Sequence, residues 1–341
     1  MKKYYFRKFI ILSLLFFVSP ITRNVNSKSV NKEAFGFFTL RSQSPVQQLR
    51  FSIQHHYPWI VGKHEKSFYV SHNWKNIWMY KENHYLIDAE IHELTFRGAL
   101  GLCENFELSL EIPLRYTSGG ILDNMIEEFH NIMGIGNANR EDFEQNKFNF
   151  EFNLGGTEDC WRKTGAEQIG WSVGNGVFGL SYDLTDLFNN ELSAVFTFNL
   201  KLPTTTRTKF FETQAIDIGM SASFLKSYKS FHFYLSPGAA YFKDKAIVGI
   251  EINQWHLSNL IALEYHKFNS KNSWIIQMLS ENGTAKSFSQ FSENTYEVLI
   301  GYKYRINEKV LFEIAVLENA FYFNNSPDFG LHLALQKYIC E

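Results

Sequence analysis

Apolar and polar residues alternate strictly along residues 104–116, and this pattern predicts a strand with two unlike faces. Every second position from Phe106 to Tyr116 is apolar, whereas the positions between them are mostly polar and include Glu107 and Glu111. Side chains along a strand point alternately to opposite faces, so one face of this strand is apolar and the other polar. The same period recurs along most of the remaining chain. The sequence therefore predicts an all-β protein.

The alternating segments predict about twelve spanning strands that close into an antiparallel transmembrane β-barrel. They lie at 49–53, 94–102, 104–116, 178–184, 192–202, 218–224, 231–241, 255–265, 274–278, 296–304, 310–316 and 331–335. Tight connections alternate with longer ones, as in outer-membrane barrels with short periplasmic turns and longer outer loops. Two more strands, near 70–80 and 147–155, leave fourteen as an alternative. A full span at 147–155 breaks the loop alternation, so this segment is placed in an extracellular hairpin.

The polar faces of these strands carry charges of both signs, and the barrel reading places them in the lumen. A charge that faces lipid costs up to roughly 4 kcal/mol at the bilayer midplane. The charges predicted to face the lumen are Glu93, Arg97, Glu107, Glu111, Arg115, Lys201, Glu297, Lys303 and Arg305. A barrel of this size has a narrow interior, which small solutes cross only if no segment fills it.

The long connection at 117–170 contains a segment with a different period. Apolar residues at 121–133 follow helical spacing and polar residues lie opposite them, which predicts a short amphipathic helix in a long extracellular loop. Gly134 follows the last of these residues, as is common at a helix end. Such a helix at the outer rim would lie along the membrane interface or cap the lumen.

Composition and the N-terminus support an exported membrane protein. Aromatic residues make up 17% of the chain while the mean hydropathy is only −0.22, so the apolar residues are dispersed rather than collected in long runs. Residues 1–27 resemble a signal peptide, with a basic start and the apolar run Phe9–Val18. This run is shorter than the roughly 20 residues that span a bilayer. An exported chain of this pattern is expected in the outer membrane, where lipid and lipopolysaccharide are its predicted partners.

The segment that follows the signal peptide has two possible positions. Residues 28–48 are extended and polar, and form either a periplasmic leader, which the sequence reading favours, or a plug inside the lumen; the barrel itself is assigned to residues 49–341. Removal of residues 1–27 takes away five basic residues and leaves a formal charge of 28 − 35 = −7, which gives no support for a nucleic-acid partner. Three widely spaced cysteines exclude a disulfide framework.

The end of the chain resembles the terminal strand by which barrel-assembly machinery recognises its substrates, so this machinery is a predicted partner. The match runs from Gly330 to Tyr338 and departs from the usual pattern in one respect, because Ile339-Cys340-Glu341 follow the last aromatic residue.

Five sets of residues resemble the motifs of a family known as domain of unknown function 3187. They are Arg41–Pro45, Glu111–Leu114, Gly119–Asp123 with Ile126, Phe129 and His130, Gly134 with Arg140, and Lys201–Thr204. The resemblance implies an exported barrel of outer-membrane type and no particular activity. Thr205-Thr206 stand where the family pattern tends to have glycine, so this loop departs from the family pattern.

The resembling segments supply the candidate functional residues. These are Asp123, Glu128, His130, Arg140 and Arg41. A carboxylate that orients a histidine is a general-base arrangement. Asp123 and His130, however, are seven residues apart, or roughly 10 Å along a helix, which is too far for a direct bond. Hydrogen bonds that pin the loop to the barrel are therefore the favoured role. No catalytic, metal or cofactor site is predicted.

Three functions remain open from the sequence. The preferred one is a channel or transporter for small or hydrophobic molecules, in which loop 117–170 forms a constriction or lid. The second is a structural or surface-interaction barrel with a filled lumen. The third is a lipid-modifying enzyme that uses His130 at the outer rim. An open lumen would favour the first function and a filled lumen the second.

Overall fold

The computed structural model describes residues 34–45, 47–134, 136–153, 161–164, 169–189, 191–205, 213, 215–247, 249–320 and 326–339. The predicted signal peptide at 1–27 lies outside these residues. None of the helices in the described ranges is long and apolar enough to cross a membrane.

Seventeen strands and one α-helix are described. The strands are β1 Lys66–Lys81, β2 Tyr85–Cys103, β3 Phe106–Ser118, β4 Asn149–Asn153, β5 Trp161–Thr164, β6 Gly170–Val173, β7 Val177–Asp183, β8 Ser193–Lys201, β9 Asp217–Tyr228, β10 Phe231–Tyr241, β11 Ala246–Ile247, β12 Ile250–Glu251, β13 Trp255–His266, β14 Asn272–Glu281, β15 Thr295–Asn307, β16 Val310–Asn319 and β17 Phe329–Ile339. The helix α1 is Asp123–Met133, and Gly134 ends it in the left-handed conformation with φ 70°.

The strands form a closed antiparallel barrel with twelve positions around its circumference. The ring closes because β1 pairs with β17 on one side and with β2 on the other. β6 and β7 occupy one position as a single bent strand: they pair with successive parts of β3, and the register shifts by one residue at the bulge between them. The prediction of about twelve spanning strands is confirmed. β4 and β5 extend the wall above β2 at the long-loop end, as the predicted hairpin near 147–155 implied.

The two faces of the wall follow the alternation in the sequence. On β3, the side chains of Phe106, Leu108 and Leu110 are exposed, whereas those of Glu107 and Glu111 are buried. Aromatic side chains mark both edges of the exposed apolar band. Trp255 and Tyr241 contact each other at the long-loop end, and Trp274 and Tyr302 at the short-turn end. The apolar band therefore faces outward and the charges face the lumen.

The prediction of a first strand at 49–53 is wrong. The first strand is Lys66–Lys81, which the sequence left uncertain, and residues 50–61 lie inside the barrel without strand pairing. Phe51 packs against Gly219 on the inner wall, while the Ser52 hydroxyl donates to a Glu281 carboxylate oxygen at 3.0 Å. Because this extended arm contacts the lumen wall on two sides, its apolar and polar residues alternate as they would in a strand, although it forms no strand pairing.

Candidate pore, plug and lid

The described residues of 34–61, which are 34–45 and 47–61, form a plug that fills the lumen with two extended arms. The first arm, 34–44, begins near the short-turn end, where the Phe35 amide donates to Glu264 at 2.9 Å. A 3-10 turn at Gln47–Leu49 reverses the chain near the long-loop end. The second arm, 50–61, returns toward the short-turn end and leads into β1. The sequence left open whether residues 28–48 form a periplasmic leader or a plug inside the lumen. The described part of this segment lies inside the lumen.

The two arms pass each other closely near the short-turn end. Gly36 has φ +86°, and a Cβ atom at this position would lie 2.6 Å from the Tyr57 ring of the other arm. Phe37 packs against the same ring, with centroids 5.4 Å apart. Glycine suits this position because it adopts positive φ without steric cost and leaves room for the neighbouring arm.

Side chains of the wall satisfy the main chain of the plug. Glu297 accepts hydrogen bonds from the Ser42 hydroxyl at 2.7 Å and from the amides of Gln43 and Ser44, at 2.9 Å and 2.8 Å for the shortest contacts. Gln277 accepts from the Phe38 amide at 2.8 Å and donates to the Phe38 carbonyl at 3.1 Å. Buried main-chain groups need such partners, and here they come from single side chains rather than from a β-ladder.

The charges that the sequence assigns to the lumen face the interior, and most of them meet either the plug or each other. Arg41 of the plug binds Glu111 with an Nη2 to Oε1 distance of 2.7 Å, beside an ion pair between Arg115 and Glu93. The remaining contacts are His56 Nε2 to Glu107 at 2.7 Å, Arg97 to Glu107 at 3.7 Å, Lys201 to Asp217 at 2.6 Å, Lys303 to Glu313 at 2.8 Å, and Arg305 over the Phe35 ring at 4.2 Å.

The plug leaves little free volume at mid-depth. Two cavities beside it have volumes of ≈ 20 Å³ each and share His56 and Arg97 in their walls, so each has room for about one water molecule. A wider vestibule of ≈ 550 Å³ opens at the short-turn end, where Phe35, Trp59 and Arg305 contribute to its lining. Between this vestibule and the long-loop end, the described residues of the plug pack against the lumen wall.

An apolar cluster covers the plug at the long-loop end, and we call it the lid. It joins Phe150 and Phe152 of β4, Phe291, and the β11–β12 hairpin to Phe51 and Ile53 of the plug. The Tyr85 ring stacks on Phe291, with centroids 4.7 Å apart. Residues of loop 117–170 therefore contribute to the lid through β4.

The helical part of the same loop lies elsewhere, on the outer surface of the wall. Glu90 of β2 points outward and accepts hydrogen bonds from the amides of Ile121 and Leu122, at 3.0 and 3.1 Å, at the start of α1. A carboxylate at this end of a helix is stabilised by the free amides and the helix dipole. The described helix thus packs beside the wall and does not cover the lumen.

Asp123 and Arg140 fix this loop to the outward-facing Asn76 of β1. Asp123 accepts from the Asn76 amide at 3.0 Å and from the Asn146 main-chain amide at 2.6 Å. Arg140 donates to Asn76 at 2.8 Å and to Asp328 at 2.9 Å. Burial and the nearby Asp123 carboxylate raise the pKa of Asp328 to about 7, although the Arg140 guanidinium opposes this shift.

His130 and Glu128 are not brought into this cluster. His130 Nδ1 lies 3.1 Å from the Asn137 side-chain oxygen, and partial burial lowers the pKa of His130. Glu128 is exposed on α1. The two carboxylate oxygens of Asp123 accept hydrogen bonds from Asn76 and Asn146. The structure therefore does not place Asp123 as an orienting partner for His130. Among the described residues, no group of three or more His, Cys, Asp or Glu side chains is arranged to hold a metal ion.

The second arm of the plug was missed by sequence reasoning. Residues 34–61 contain no acidic residue, but neither do β1, β8, β10 and β17, so this property does not distinguish the arm from a strand. Of the three cysteines, Cys103 is exposed and free, and Cys160 and Cys340 lie outside the described residues.

Comparison with known families agrees with this architecture. A model for a family described as protein of unknown function, DUF3187, matches residues 13–339. The chain belongs to this family. A search of the curated proteins gave no match for this DUF3187 member.

Among solved structures, this DUF3187 member is similar to the COG4313 outer membrane channel from Pseudomonas putida F1, with a TM-score of 0.55 and 11% identity over 84% of this chain and 100% of that chain. It also matches the NanC porin, with a TM-score of 0.45 and 8% identity over 79% of this chain and 98% of that one. The monoaromatic hydrocarbon channel CymD matches with a TM-score of 0.41 and 9% identity, over 88% and 98%. The first of these likenesses shows the fold, which is that of an outer-membrane β-barrel.

Proposed function

We propose that this protein is an outer-membrane channel for small solutes, closed in the present state by its own plug and lid. In this proposal the short turns face the periplasm and the long loops face the outside, as is usual for such barrels. A solute passes when the plug leaves mid-depth and the lid separates at the outer end.

The way in which the plug is held carries the proposal. None of the described residues in 34–61 belongs to a strand, so the plug can move without breaking any pairing of the wall. Its main chain is held by side chains such as Glu264, Gln277 and Glu297, whose hydrogen bonds water can replace. Small barrels usually fill their interiors with the side chains of their own strands. A plug that fills the lumen but is separate from the strands is therefore able to act as a gate.

The alternative of a permanently filled structural barrel has one specific observation in its favour. Phe37, Phe38, Leu40 and Tyr57 of the plug pack with apolar residues of β13–β16 in a buried cluster. Withdrawal of the plug exposes this surface, at about 25 cal/mol for each Å² of apolar area. This alternative differs from the channel in its expectation that the plug never leaves the lumen.

A reversible cross-link between plug and wall tests the proposal. His55 Nδ1 lies 2.8 Å from the Ser236 hydroxyl of β10, so His55→Cys and Ser236→Cys place two thiols side by side. With the native cysteines replaced by serine, a short reducible bis-thiosulfonate reagent should join them. We expect channel openings in planar bilayers before linking, none after linking, and their return on reduction.

Single-cysteine variants treated with the same reagent provide the control, because they are labelled but not linked. Openings that persist in the linked protein would contradict gating by the plug. A folded barrel that stays silent in the unlinked, linked and reduced states would contradict the channel itself and favour the filled structural barrel.

A further inference from the structure

The plug and the lumen wall have complementary charges. Residues 34–61 contain two arginines, two histidines and no acidic residue. Seven carboxylates of the wall lie within hydrogen-bond or ion-pair distance of this segment. They are Glu93, Glu107, Glu111, Glu264, Glu281, Glu297 and Glu313.

The wall itself neutralises only some of these carboxylates. Glu93, Glu107 and Glu313 each have an arginine or lysine of the wall within 4.0 Å, namely Arg115, Arg97 and Lys303. In the described ranges, the other four carboxylates have no lysine or arginine of the wall within that distance. These four are Glu111, Glu264, Glu281 and Glu297. In the described ranges, two cations of the inner wall, Lys75 and Arg305, likewise have no ion pair with a wall carboxylate, so the four carboxylates outnumber them and leave a net negative charge in a lumen without its plug.

One carboxylate oxygen of Glu281 has no hydrogen-bond donor in the described part of the chain, even when the plug is present. Its Oε1 atom accepts from the Ser52 hydroxyl at 3.0 Å and lies 3.2 Å from His256 Nε2. Its Oε2 atom is buried and has no hydrogen-bond partner in the described part of the chain, while the side chain is fully buried. Buried carboxylate oxygens are normally paired, so this atom marks a position at which a cation would be stabilised.

We propose that the lumen vacated by the plug binds and selects small cations, in particular solutes with ammonium or guanidinium groups. This inference rests on the proposed channel function. Arg41 illustrates the recognition, because its guanidinium lies 2.7 Å from Glu111 and 3.7 Å from Glu93. Carboxylates that line a pore favour cations over anions. A guanidinium solute would take the position that Arg41 leaves.

Reversal potentials test the selectivity. The full-length protein is placed in planar bilayers with a gradient of potassium chloride, and then of guanidinium chloride, and the reversal potential of its open state is measured. We expect the reversal potential to indicate preference for the cation in both salts. Glu111→Gln and Glu297→Gln should move it toward zero, whereas Glu191→Gln, an exposed site outside the lumen, should leave it unchanged.

The possible outcomes distinguish failure of the cation site from failure of the channel. A barrel that conducts but prefers chloride, or does not discriminate, overturns the cation site and leaves the channel standing. Cation preference that persists unchanged in Glu111→Gln and Glu297→Gln also overturns the site. A folded barrel without conductance overturns the proposed function and, with it, this inference.

A second inference comes independently from the outer surface. The helix α1 and the residue before its cap expose one apolar stripe on the outside of the barrel: Ile121 is 74% exposed, Met125 49%, Phe129 46% and Ile132 83%. The opposite side of the helix, with Leu122 and Ile126, is buried. Asp123 and Arg140 fix the position of this helix through Asn76, as described above.

The stripe lies at the edge of the apolar outer band. Asn76 follows Trp74 by two positions on the same outward face of β1, and Trp74, Tyr116 and Trp171 form the neighbouring aromatic edge, with the last two rings 5.2 Å apart. Aromatic belts mark the level at which hydrocarbon meets headgroups. We infer that the stripe inserts among the acyl chains of the outer leaflet, continuing the lipid-facing surface of the wall.

Quenching by spin-labelled lipids tests this placement. In the cysteine-free protein, Ile132→Cys and Asn131→Cys are labelled with bimane and reconstituted in phosphatidylcholine vesicles with shallow doxyl labels. We expect the probe at 132 to be quenched several-fold more strongly than the probe at its polar neighbour 131. Equal quenching at the two positions would overturn the insertion.

Discussion

A barrel that lacks most of the plug, residues 34–59, and the lid hairpin, residues 244–252, should conduct steadily, whereas the full chain should open only rarely. The two barriers lie in series, because the plug fills mid-depth and the lid covers its outer end through Phe51 and Ile53. Either deletion alone should therefore give fewer or smaller openings than the two together. Residues 60–65 are kept because the main chain of His64 and Glu65 bonds to Gly101 of β2, next to the start of β1.

The loop helix supplies the matched control for this experiment. Deletion of residues 121–145 removes a segment of comparable length, but the described helix packs on the outer wall against Glu90 and Asn76. Its removal should leave the unit conductance of the open barrel unchanged. A double deletion that folds, as judged by circular dichroism and heat-modifiable migration, but remains silent would refute the two-barrier channel.

The number of strands and the face of each charge could be predicted because lipid imposes a strict rule. Outward positions that contact lipid are apolar, so the period of two is repeated with little noise along β3, β8 and β9. The rule does not apply to part of β1, because the loop covers the outward side chains of Asn76 and Trp78 through Asp123 and Arg140. The alternation along β1 is therefore weaker, and the sequence did not identify it as one of the twelve strands.

The plug could not be located in the same way, because its contacts are set by the barrel that surrounds it. Phe51 and Ile53 alternate with Ser52 as if they were in a strand, but the apolar pair meets the lid and Ser52 meets Glu281. No local pattern distinguishes these partners from the two faces of a sheet. Similarly, the sequence predicted that hydrogen bonds pin the loop, but Asn76, to which Asp123 and Arg140 both bind, lies on a distant strand.

Replacement of Glu297 by alanine should release the plug in an intact barrel. Three donors, the Ser42 hydroxyl and the amides of Gln43 and Ser44, would lose their acceptor in a buried place. Each buried donor left unsatisfied costs about 1 to 3 kcal/mol. A total of about 3 kcal/mol, at about 1.4 kcal/mol for each factor of ten, raises the population of released plug about 100-fold.

Labelling of a plug thiol measures this population without requiring conductance through the lid. In the cysteine-free protein, His55→Cys is buried between Ser236 and Ser258 and should react with a water-soluble maleimide only when the plug is out. Glu297→Ala should speed this reaction by the expected factor, and Glu297→Gln, which keeps one carbonyl oxygen as an acceptor, should speed it less. Glu191→Ala should react like the parent. If Glu297→Ala also reacts at the parental rate, this carboxylate does not hold the plug, and the gate must be retained by the apolar cluster around Phe37 and Phe38 instead.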